Sequence, residues 1–268
     1  MASGLYTDAL ERLRLLSACD IQSSTLVRVG GPNDGGYVMV DDIYSSTTPV
    51  AYSIGINRDV TWDVDVARRG VDVFMYDHTI SALPTSHPRF HFRRQGLTGT
   101  ASRADMRTLE QMVQDNGHCD VPRMLLKIDV EGAEWDALLH TPSDLLARFS
   151  QIVIEFHGLI PTTHDSDANM VSLVLEKLLV THRPVHVHGN TYGPSLILPG
   201  IVLPWGAEVT YASRAVYGER FVTSSRYFPT HVDASNRRDR CDMILGDLGR
   251  SICDAVKPHR DSLSEPRS

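Results

Sequence analysis

Apolar strand-like segments alternate with helix-like segments from residue 49 onward, and this alternation limits the fold more than any other feature of the chain. Short segments rich in branched and aromatic residues predict strands at 50–54, 71–76, 89–95, 124–129, 152–156 and 185–188. Helical periodicity lies between them at 59–69, 105–116, 132–140 and 167–182. Such alternation is typical of βαβ units, so the chain is predicted to form an α/β fold with a largely parallel sheet and a last strand at 208–211.

The region before residue 49 has a different character. Leucines recur on one helical face over residues 5–17, which predicts an amphipathic helix that packs across the domain. Two extended segments, 26–29 and 37–40, flank a glycine-rich loop at 30–36 that is either a hairpin turn or a place where backbone approaches a ligand. These patterns predict an N-terminal helical extension (1–25), one catalytic domain (26–253) and a polar, mobile tail (254–268).

Composition excludes several classes of protein. The net charge of −7 argues against a nucleic-acid binder, because binding to phosphates needs clustered Lys and Arg. No run approaches the roughly 20 apolar residues of a membrane span. The four cysteines, Cys19, Cys119, Cys241 and Cys253, are scattered, which favours reduced thiols over a disulfide framework or zinc ribbon. The chain is therefore expected to be soluble and cytoplasmic.

Three acids follow the predicted strand at 124–129. Asp129 ends this strand, Glu131 lies in the turn, and Glu134 begins the next helix. Open α/β sheets bind their ligands at the carboxyl ends of parallel strands, so Asp129 is the strongest candidate for chemistry. Glu134 has an alternative interpretation as a residue that complements the helix dipole.

A second candidate region joins the first two predicted strands of the domain. Ser53, Gly55 and Asn57 form a turn that lets a ligand approach backbone N–H groups, although the G-x-G-x-x-G of a dinucleotide fold is missing. Asp77 and His78 follow the next strand, about 20 residues later, where nucleotide-binding folds place an acid for the ribose. Asp77 could instead be a helix N-cap.

Two later strands each carry polar residues two apart, so that both side chains of each pair share a face. These pairs are Glu155 with His157, and His186 with His188. Beside Asp129 they predict a cluster of acids and imidazoles that serves as a general base or binds a divalent metal. Asp129, Glu155 and His157 are the predicted metal ligands; carboxylates favour magnesium, whereas several imidazoles favour a transition metal.

Residues 127–134, Lys-Ile-Asp-Val-Glu-Gly-Ala-Glu, resemble the hallmark of FkbM-type S-adenosylmethionine-dependent methyltransferases. The glycine-rich segment at 28–39, the strand end at 52–55 and the acid at Asp77 are similar to a related methyltransferase-like branch. The resemblance covers residues from about 26 to 212, and it departs from the commoner D-x-G-x-N turn in having Ser53 where an acid is frequent. It implies a Rossmann-like class I methyltransferase fold with seven strands, mostly parallel, the last antiparallel, and helices on both faces.

The resemblance also implies a function. Ser53, Gly55, Asn57, Asp77, His78 and Asp129 would bind S-adenosylmethionine, with Gly55 near the methionine part and Asp129 near the reactive methyl group. The acceptor would be a hydroxyl of a small molecule, most often a sugar or oligosaccharide, or alternatively a polyketide or other secondary metabolite. Deprotonation is assigned to His157 or His188, or to a magnesium ion on Asp129 and Glu155.

The remaining predictions concern the acceptor and the partners. Asp34, Glu131 and Tyr192 are the predicted acceptor contacts, and Tyr192, Trp205 and Tyr217 are candidates for stacking on a saccharide. The loops at 158–168 and 189–206 are predicted to shape the acceptor pocket because they follow strand ends. The oligomeric state stays open, and a homodimer is one of the predicted partners. Three other functions stay open at this point: a nicotinamide-dependent oxidoreductase, a metal-dependent hydrolase and a non-enzymatic scaffold.

Overall fold

A computed structural model describes residues 2–42, 49–100, 103–161 and 168–247. Its centre is a seven-stranded sheet in the order β6-β7-β5-β4-β1-β2-β3. These strands are β1 (Val50–Ile54), β2 (Asp72–Tyr76), β3 (Phe90–Arg93), β4 (Met124–Ile128), β5 (Phe149–His157), β6 (His182–Gly189) and β7 (Gly206–Ser213). The first five run parallel in the sheet, and β7 is antiparallel to both β5 and β6. The predicted class I methyltransferase architecture is confirmed.

Helices cover both faces of this sheet, as predicted. They are α1 (Ala2–Leu15), α2 (Thr61–Arg68), α3 (Leu109–Asp115), α4 (Glu134–His140), α5 (Ser143–Leu146), α6 (Ala168–Thr181) and α7 (Arg214–Tyr217), with a 3-10 turn at Gly218–Arg220. One face packs against α1, α3, α4, α5 and α6, and the other against α2 and a hairpin formed by Leu26–Val29 and Tyr37–Val40. None of the helices in the described ranges is long and apolar enough to cross a membrane.

The hairpin confirms the two extended segments predicted on either side of the glycine-rich loop. A Cβ at Gly36 would lie 1.9 Å from the carbonyl oxygen of Gly31, so the loop is closed by backbone contacts that a side chain would block. Arg28 stiffens it further by donating to the carbonyls of Gly31 and Asn33, each at 2.7 Å. The glycines therefore fold the loop on itself, and Asp34 is left at its tip.

Besides the hairpin, the described residues contain four short strand pairs that lie outside the main sheet and were not predicted. They are Cys19–Ile21 with Phe221–Thr223, Gly96–Leu97 with Met106–Arg107, Ser195–Leu198 with Ile201–Pro204, and Tyr227–Phe228 with Gly246–Asp247. The third pair shows that the predicted loop at 189–206 contains a hairpin. The predicted tail at 254–268 and residues 162–167 of the other predicted acceptor loop lie outside the described residues.

The alternation of side chains along the strands decides which polar groups reach the site. In β4, Leu126 and Ile128 pack against the larger helical layer, whereas Leu125 packs on the side of α2 and the hairpin. Because side chains alternate along a strand, Lys127 and Asp129 lie on the same face as Leu125. The sheet therefore presents its polar strand ends on the face that carries the hairpin.

Candidate active site

A cleft of about 810 Å³ opens at the carboxyl ends of β1, β2, β4 and β5, where open α/β sheets bind ligands. Nearly all of the predicted site residues line it: Asp34, Gly55, Asn57, Asp77, His78, Asp129, Glu131, Glu155, His157 and Tyr192. The cleft has the size of typical small-molecule sites, about 300–1,000 Å³. Residues from β1 and β2 form one end of it, and residues from β5 and the following loops form the other.

Gly55 allows the ends of β1 and β4 to come together at the middle of the cleft. The amide of Asp129 donates to the carbonyl of Ile54 at 2.9 Å, and the amide of Gly55 donates to that of Tyr76. A Cβ at Gly55 would lie 1.6 Å from the carbonyl oxygen of Asp129, and its φ of +83° is itself unfavourable for other residues. Glycine is therefore required here by two separate constraints.

Asp77 holds the turn after β1. Its Oδ2 accepts hydrogen bonds from the amides of Ile56 (2.9 Å) and Asn57 (2.8 Å), and its Oδ1 accepts from the amide and hydroxyl of Thr79. Burial raises the pKa of Asp77, but these four bonds outweigh it and lower the pKa below the ordinary value. Asp77 is thus an ionised anchor of the loop, and a ribose hydroxyl could bind it in exchange for the rotatable hydroxyl of Thr79.

Ser53, predicted to contact a cofactor, is not among the residues that line the cleft. It is fully buried beside Asp63 of α2, and it pairs across the sheet with Lys127. Lys127 reaches the cleft, where its Nζ donates to the carbonyl of Gly55 at 2.9 Å. The interpretation of Ser53 as a cofactor ligand is therefore corrected: its hydroxyl lies on the same sheet face as Lys127 but against Asp63 of α2, whereas the longer side chain of Lys127 extends to the cleft.

Asp129, Glu155 and His157 converge at the other end of the cleft, as predicted, and are called the trio below. Each offers an oxygen or nitrogen atom, and the three atoms lie within 4.8 Å of one another. Nε2 of His157 is 3.6 Å from Oε1 of Glu155. Burial raises the pKa of both carboxyl groups, and their mutual repulsion adds to this for Glu155. The trio is thus a concentration of basic atoms at one point of the cleft.

Glu134 fixes the orientation of His157. This fully buried carboxylate accepts from the amide of His157 at 2.7 Å and lies 3.2 Å from its Nδ1, while its second oxygen accepts from the amide of Gly132. The carboxylate places the ring proton on Nδ1 and leaves Nε2 facing the cleft. Burial lowers the pKa of His157, but Glu134 and then Asp129 outweigh it and raise the pKa. Glu134 is therefore more than a helix-dipole residue.

Each of the two carboxylates of the trio also accepts a hydrogen bond from a neighbouring side chain. The hydroxyl of Tyr37 donates to Oδ2 of Asp129 at 3.2 Å, and the side-chain amide of Asn190 donates to Oε1 of Glu155. Tyr37 comes from the hairpin, and Asn190 follows β6 directly. Each member of the trio thus has a hydrogen-bond partner that orients it toward the cleft.

The mouth of the cleft combines acids with aromatic rings. Asp34 lies near the trio, and partial burial, Asp129 and Glu208 raise its pKa to about 6. Trp205 packs edge-on against the ring of His157 with centroids 5.6 Å apart, and Tyr192 is 58% exposed. Glu131 is exposed but reaches within 3.4 Å of Nε2 of His157. An acceptor would meet a polar wall with apolar ring faces beside it.

His186 and His188, predicted to join the cluster, lie elsewhere. They are buried on β6, which β7 separates from β5. Both ring nitrogens of His188 are occupied, Nδ1 by Glu208 at 3.0 Å and Nε2 by Asp242 at 2.6 Å. His186 pairs with Asp233 at 3.0 Å. The prediction of His188 as a catalytic base is corrected, because an imidazole held between two carboxylates is charged and has no free lone pair.

These histidines hold the segment at 228–245, named here the C-terminal strap, across the end of the sheet. Asn236 of the strap donates to Oε1 of Glu208 at 2.5 Å. The strap also bonds to the tip of the hairpin, since Asn33 donates to the carbonyl of Ser235 at 2.8 Å and Arg238 donates to Asn33. The strap therefore connects the end of the sheet at Glu208 to the loop that carries Asp34.

We expect the strap to give the protein a stability that declines at alkaline pH. Burial lowers the pKa of His188, but Asp242 and Glu208 outweigh it and raise the pKa to about 10. Because the folded pKa exceeds the ordinary value of 6.5, the stabilisation is complete below that value and is lost as the pH rises toward 10. Thermal unfolding from pH 6.5 to 9.5 should show the wild type losing its advantage over His188→Asn. Melting temperatures of the two proteins that change in parallel with pH would contradict the raised pKa of His188.

Three functional residues were missed at the sequence level: Glu134 as the partner of His157, Lys127 beside Gly55, and Asn190 beside Glu155. Two of them carried a signal. Lys127 lies two residues before Asp129, and Asn190 lies two residues after His188, so each continues a series of polar residues on one strand face. Glu134 gave no such signal because its role depends on how α4 packs beside β5.

Comparison with known proteins finds a family match over the part of the chain that builds most of the cleft. The family model described as the methyltransferase FkbM domain matches residues 43–178, just over half of the chain. The match contains Gly55, Asp77 and the whole trio, and it ends before β6, β7 and the strap. A comparison with curated proteins finds no match.

Proposed function

The chain belongs to the FkbM methyltransferase family, and on that premise we propose that it transfers a methyl group from S-adenosylmethionine to a hydroxyl oxygen of a small polyhydroxylated acceptor. One observation carries the proposal. A single cleft joins the glycine turn and strand-end acid of β1 and β2 to the trio, with Asp129 between the two ends. A methyl donor and an acceptor can therefore lie in line within it.

The donor is assigned to the end of the cleft built by β1 and β2. Gly55 lines this end of the cleft, where the methionine part would lie, and Asp77 fixes the loop that contains Asn57. Apolar side chains suited to the faces of an adenine ring lie beyond, next to His78, and are Ile56, Leu97 and Met106. Such a placement directs the sulfonium toward Asp129 and the trio.

The chemistry follows from this arrangement. The acceptor oxygen forms a bond to the methyl carbon as the bond from carbon to sulfur breaks, and the electron pair remains on sulfur to give S-adenosylhomocysteine. A hydroxyl is a weak nucleophile until it loses its proton. We assign that step to the trio, from which the proton passes to solvent. Alignment of the two reactants supplies a further large share of the rate.

A sugar or oligosaccharide is the acceptor class that the site favours. Asp34, Glu155 and Asn190 offer oxygen and nitrogen atoms to sugar hydroxyls, while Tyr192 and Trp205 offer ring faces at the mouth. A polyketide would leave much of this polar wall without partners, which is costly for buried groups. We therefore rank a saccharide above a polyketide acceptor.

Calorimetric titration with S-adenosylhomocysteine tests the cofactor assignment. We expect the wild type to bind it and Asp77→Ala to bind at least about tenfold more weakly, a loss of about 1.4 kcal/mol, because the amides of Ile56 and Asn57 lose their anchor. Asp72→Ala is the matched control. Asp72 is at the other end of the same strand, partly exposed, and pairs with Arg89 and His91.

Comparison of the two variants separates a specific effect of Asp77 on cofactor binding from general damage to β2. Equal loss in both variants would indicate general damage to β2, and thermal unfolding of each variant would measure it. If Asp77→Ala is too unstable to purify, Asp77→Asn retains the shape of the side chain and half of its acceptor oxygens. Absence of binding by the wild type, or unchanged affinity in both Asp77 variants, would refute the cofactor assignment.

A further inference from the structure

The trio has the arrangement of a metal-binding site. Two carboxylate oxygens and one imidazole nitrogen lie within 4.8 Å of one another. Ligand atoms bound to one ion at about 2.0–2.3 Å lie about 3–4.6 Å apart, so a small contraction would bring all three onto a common centre. We propose that Asp129, Glu155 and His157 bind a divalent cation of the magnesium or manganese type, which also binds the acceptor hydroxyl.

The orientation of the His157 ring is the first argument for this site. Glu134 accepts from Nδ1, so Nε2 carries the lone pair that a cation needs. A carboxylate behind a metal-bound histidine is the usual way in which proteins fix this orientation. The Nε2 atom lies 3.6 Å from a carboxylate oxygen of Glu155 and 3.4 Å from one of Glu131, so it faces a concentration of carboxylate oxygens.

The support of the two carboxylates is the second argument. Metal-binding carboxylates are themselves hydrogen-bonded by neighbouring groups. Tyr37 bonds to Asp129, and Asn190 bonds to Glu155. These two donors come from the hairpin and from the loop after β6, which are far apart in the sequence. All three members of the trio are thus oriented by different elements toward one point.

The composition of the site indicates the kind of cation. Two carboxylates favour magnesium and manganese, while the imidazole extends the preference toward transition metals, so manganese satisfies both. When bound, such an ion would hold the acceptor oxygen and lower the pKa of its hydroxyl. The role in methyl transfer rests on the proposed function, whereas the binding of the ion depends on the trio alone.

A second group of acids beside the trio provides a comparison for the test of metal binding. Asp34, Glu155 and Glu208 also lie within 4.8 Å of one another and share Glu155 with the trio. This second group has no imidazole, and Glu208 is already bonded to His188 and Asn236. Asp129 belongs to the trio alone, and Asp34 belongs to the second group alone. Their asparagine variants therefore distinguish the two positions.

Titration of the metal-free protein with manganese chloride, read by the electron paramagnetic resonance signal of free Mn²⁺, measures binding without any turnover. We expect the wild type to bind one ion. Asp129→Asn and Glu155→Gln should each weaken the affinity at least about tenfold, and Asp34→Asn less than about threefold. Thermal unfolding without metal identifies any variant that fails to fold, and His157→Gln then serves as the replacement.

Three results would overturn the proposal: no binding by the wild type at millimolar Mn²⁺, equal affinities in wild type and Asp129→Asn, or a larger loss in Asp34→Asn than in Asp129→Asn. The titration with S-adenosylhomocysteine keeps this outcome separate from the proposed function. Cofactor binding without Mn²⁺ binding would remove the cation and leave the methyltransferase assignment intact. Mn²⁺ binding without cofactor binding would do the reverse.

Discussion

Replacing Gly55 by alanine is expected to destabilise the fold by roughly 3–5 kcal/mol and to abolish cofactor binding, since it combines overpacking with an unfavourable backbone conformation. The new Cβ would lie 1.6 Å from the carbonyl oxygen of Asp129, at a φ of +83°. Relief of that contact requires β1 and β4 to separate at the point where donor and acceptor meet. Denaturant unfolding gives the stability, and titration with S-adenosylhomocysteine gives the affinity.

Gly70→Ala is the matched control for this variant. Gly70 has a similar φ of +90°, but a Cβ there meets nothing within 4 Å. It should therefore lose about 1 kcal/mol from backbone strain alone and bind the cofactor normally. The difference between the two variants isolates the contact between β1 and β4. Equal losses of stability would contradict the role given to Gly55.

His157→Asn is expected to lower kcat for methyl transfer roughly 10²–10⁴-fold, the range typical of a lost group in proton transfer. The variant removes the Nε2 atom that faces the other members of the trio. Affinity for S-adenosylhomocysteine should change by less than about threefold, because the interaction is made with the acceptor in the transition state. Transfer of a labelled methyl group to the saccharide that the wild type accepts from a panel gives the rate.

His91→Asn controls for the loss of an imidazole. His91 lies on β3 at the edge of the sheet, partly exposed and 3.3 Å from Asp72, on the opposite side of the sheet from the trio. Its replacement should leave the rate unchanged. A rate in His157→Asn above one tenth of the wild type would contradict the assignment of proton removal to the trio.

The fold could be predicted from the sequence because its signals are local. Four strands of the parallel core, β1, β2, β4 and β5, are mainly apolar, and the predicted segment at 50–54 coincides with β1. The antiparallel position of β7 was implied by the resemblance to the family. The four small strand pairs could not be predicted in this way, since strands of two to four residues carry too little pattern. The pair of Cys19–Ile21 with Phe221–Thr223 also joins segments that are far apart in the sequence.

The donor end and the trio could be predicted for a similar reason. Acids that directly follow buried parallel strands meet at one edge of the sheet, whatever the details of packing. Asp77 follows β2 and Asp129 follows β4 in this way, and Glu155 lies near the carboxyl end of β5. Ser53 shows that the depth along the strand could not be predicted in the same way: its hydroxyl lies below the cleft against Asp63 of α2, whereas Gly55, two residues further on, lines the cleft.

The position of His188 could not be predicted, because it depends on two events far along the chain. The strand β7 inserts between β5 and β6, so His188 stands opposite Glu208 instead of Glu155. The C-terminal strap then returns to place Asp242 on its second ring nitrogen. The sequence near His188 carries no sign of either event. The same histidine that pattern alone makes a candidate base is, in the folded chain, a buried partner of two carboxylates.

A crystal structure with S-adenosylhomocysteine tests the central claim, that one cleft holds the donor on β1 and β2 and the acceptor on the trio. We expect the sulfur to lie between Gly55 and Asp129 and the ribose beside Asp77, with open volume from the sulfur to Glu155 and His157. Density for the cofactor away from the Gly55 turn, or a sulfur separated from the trio by protein, would contradict it.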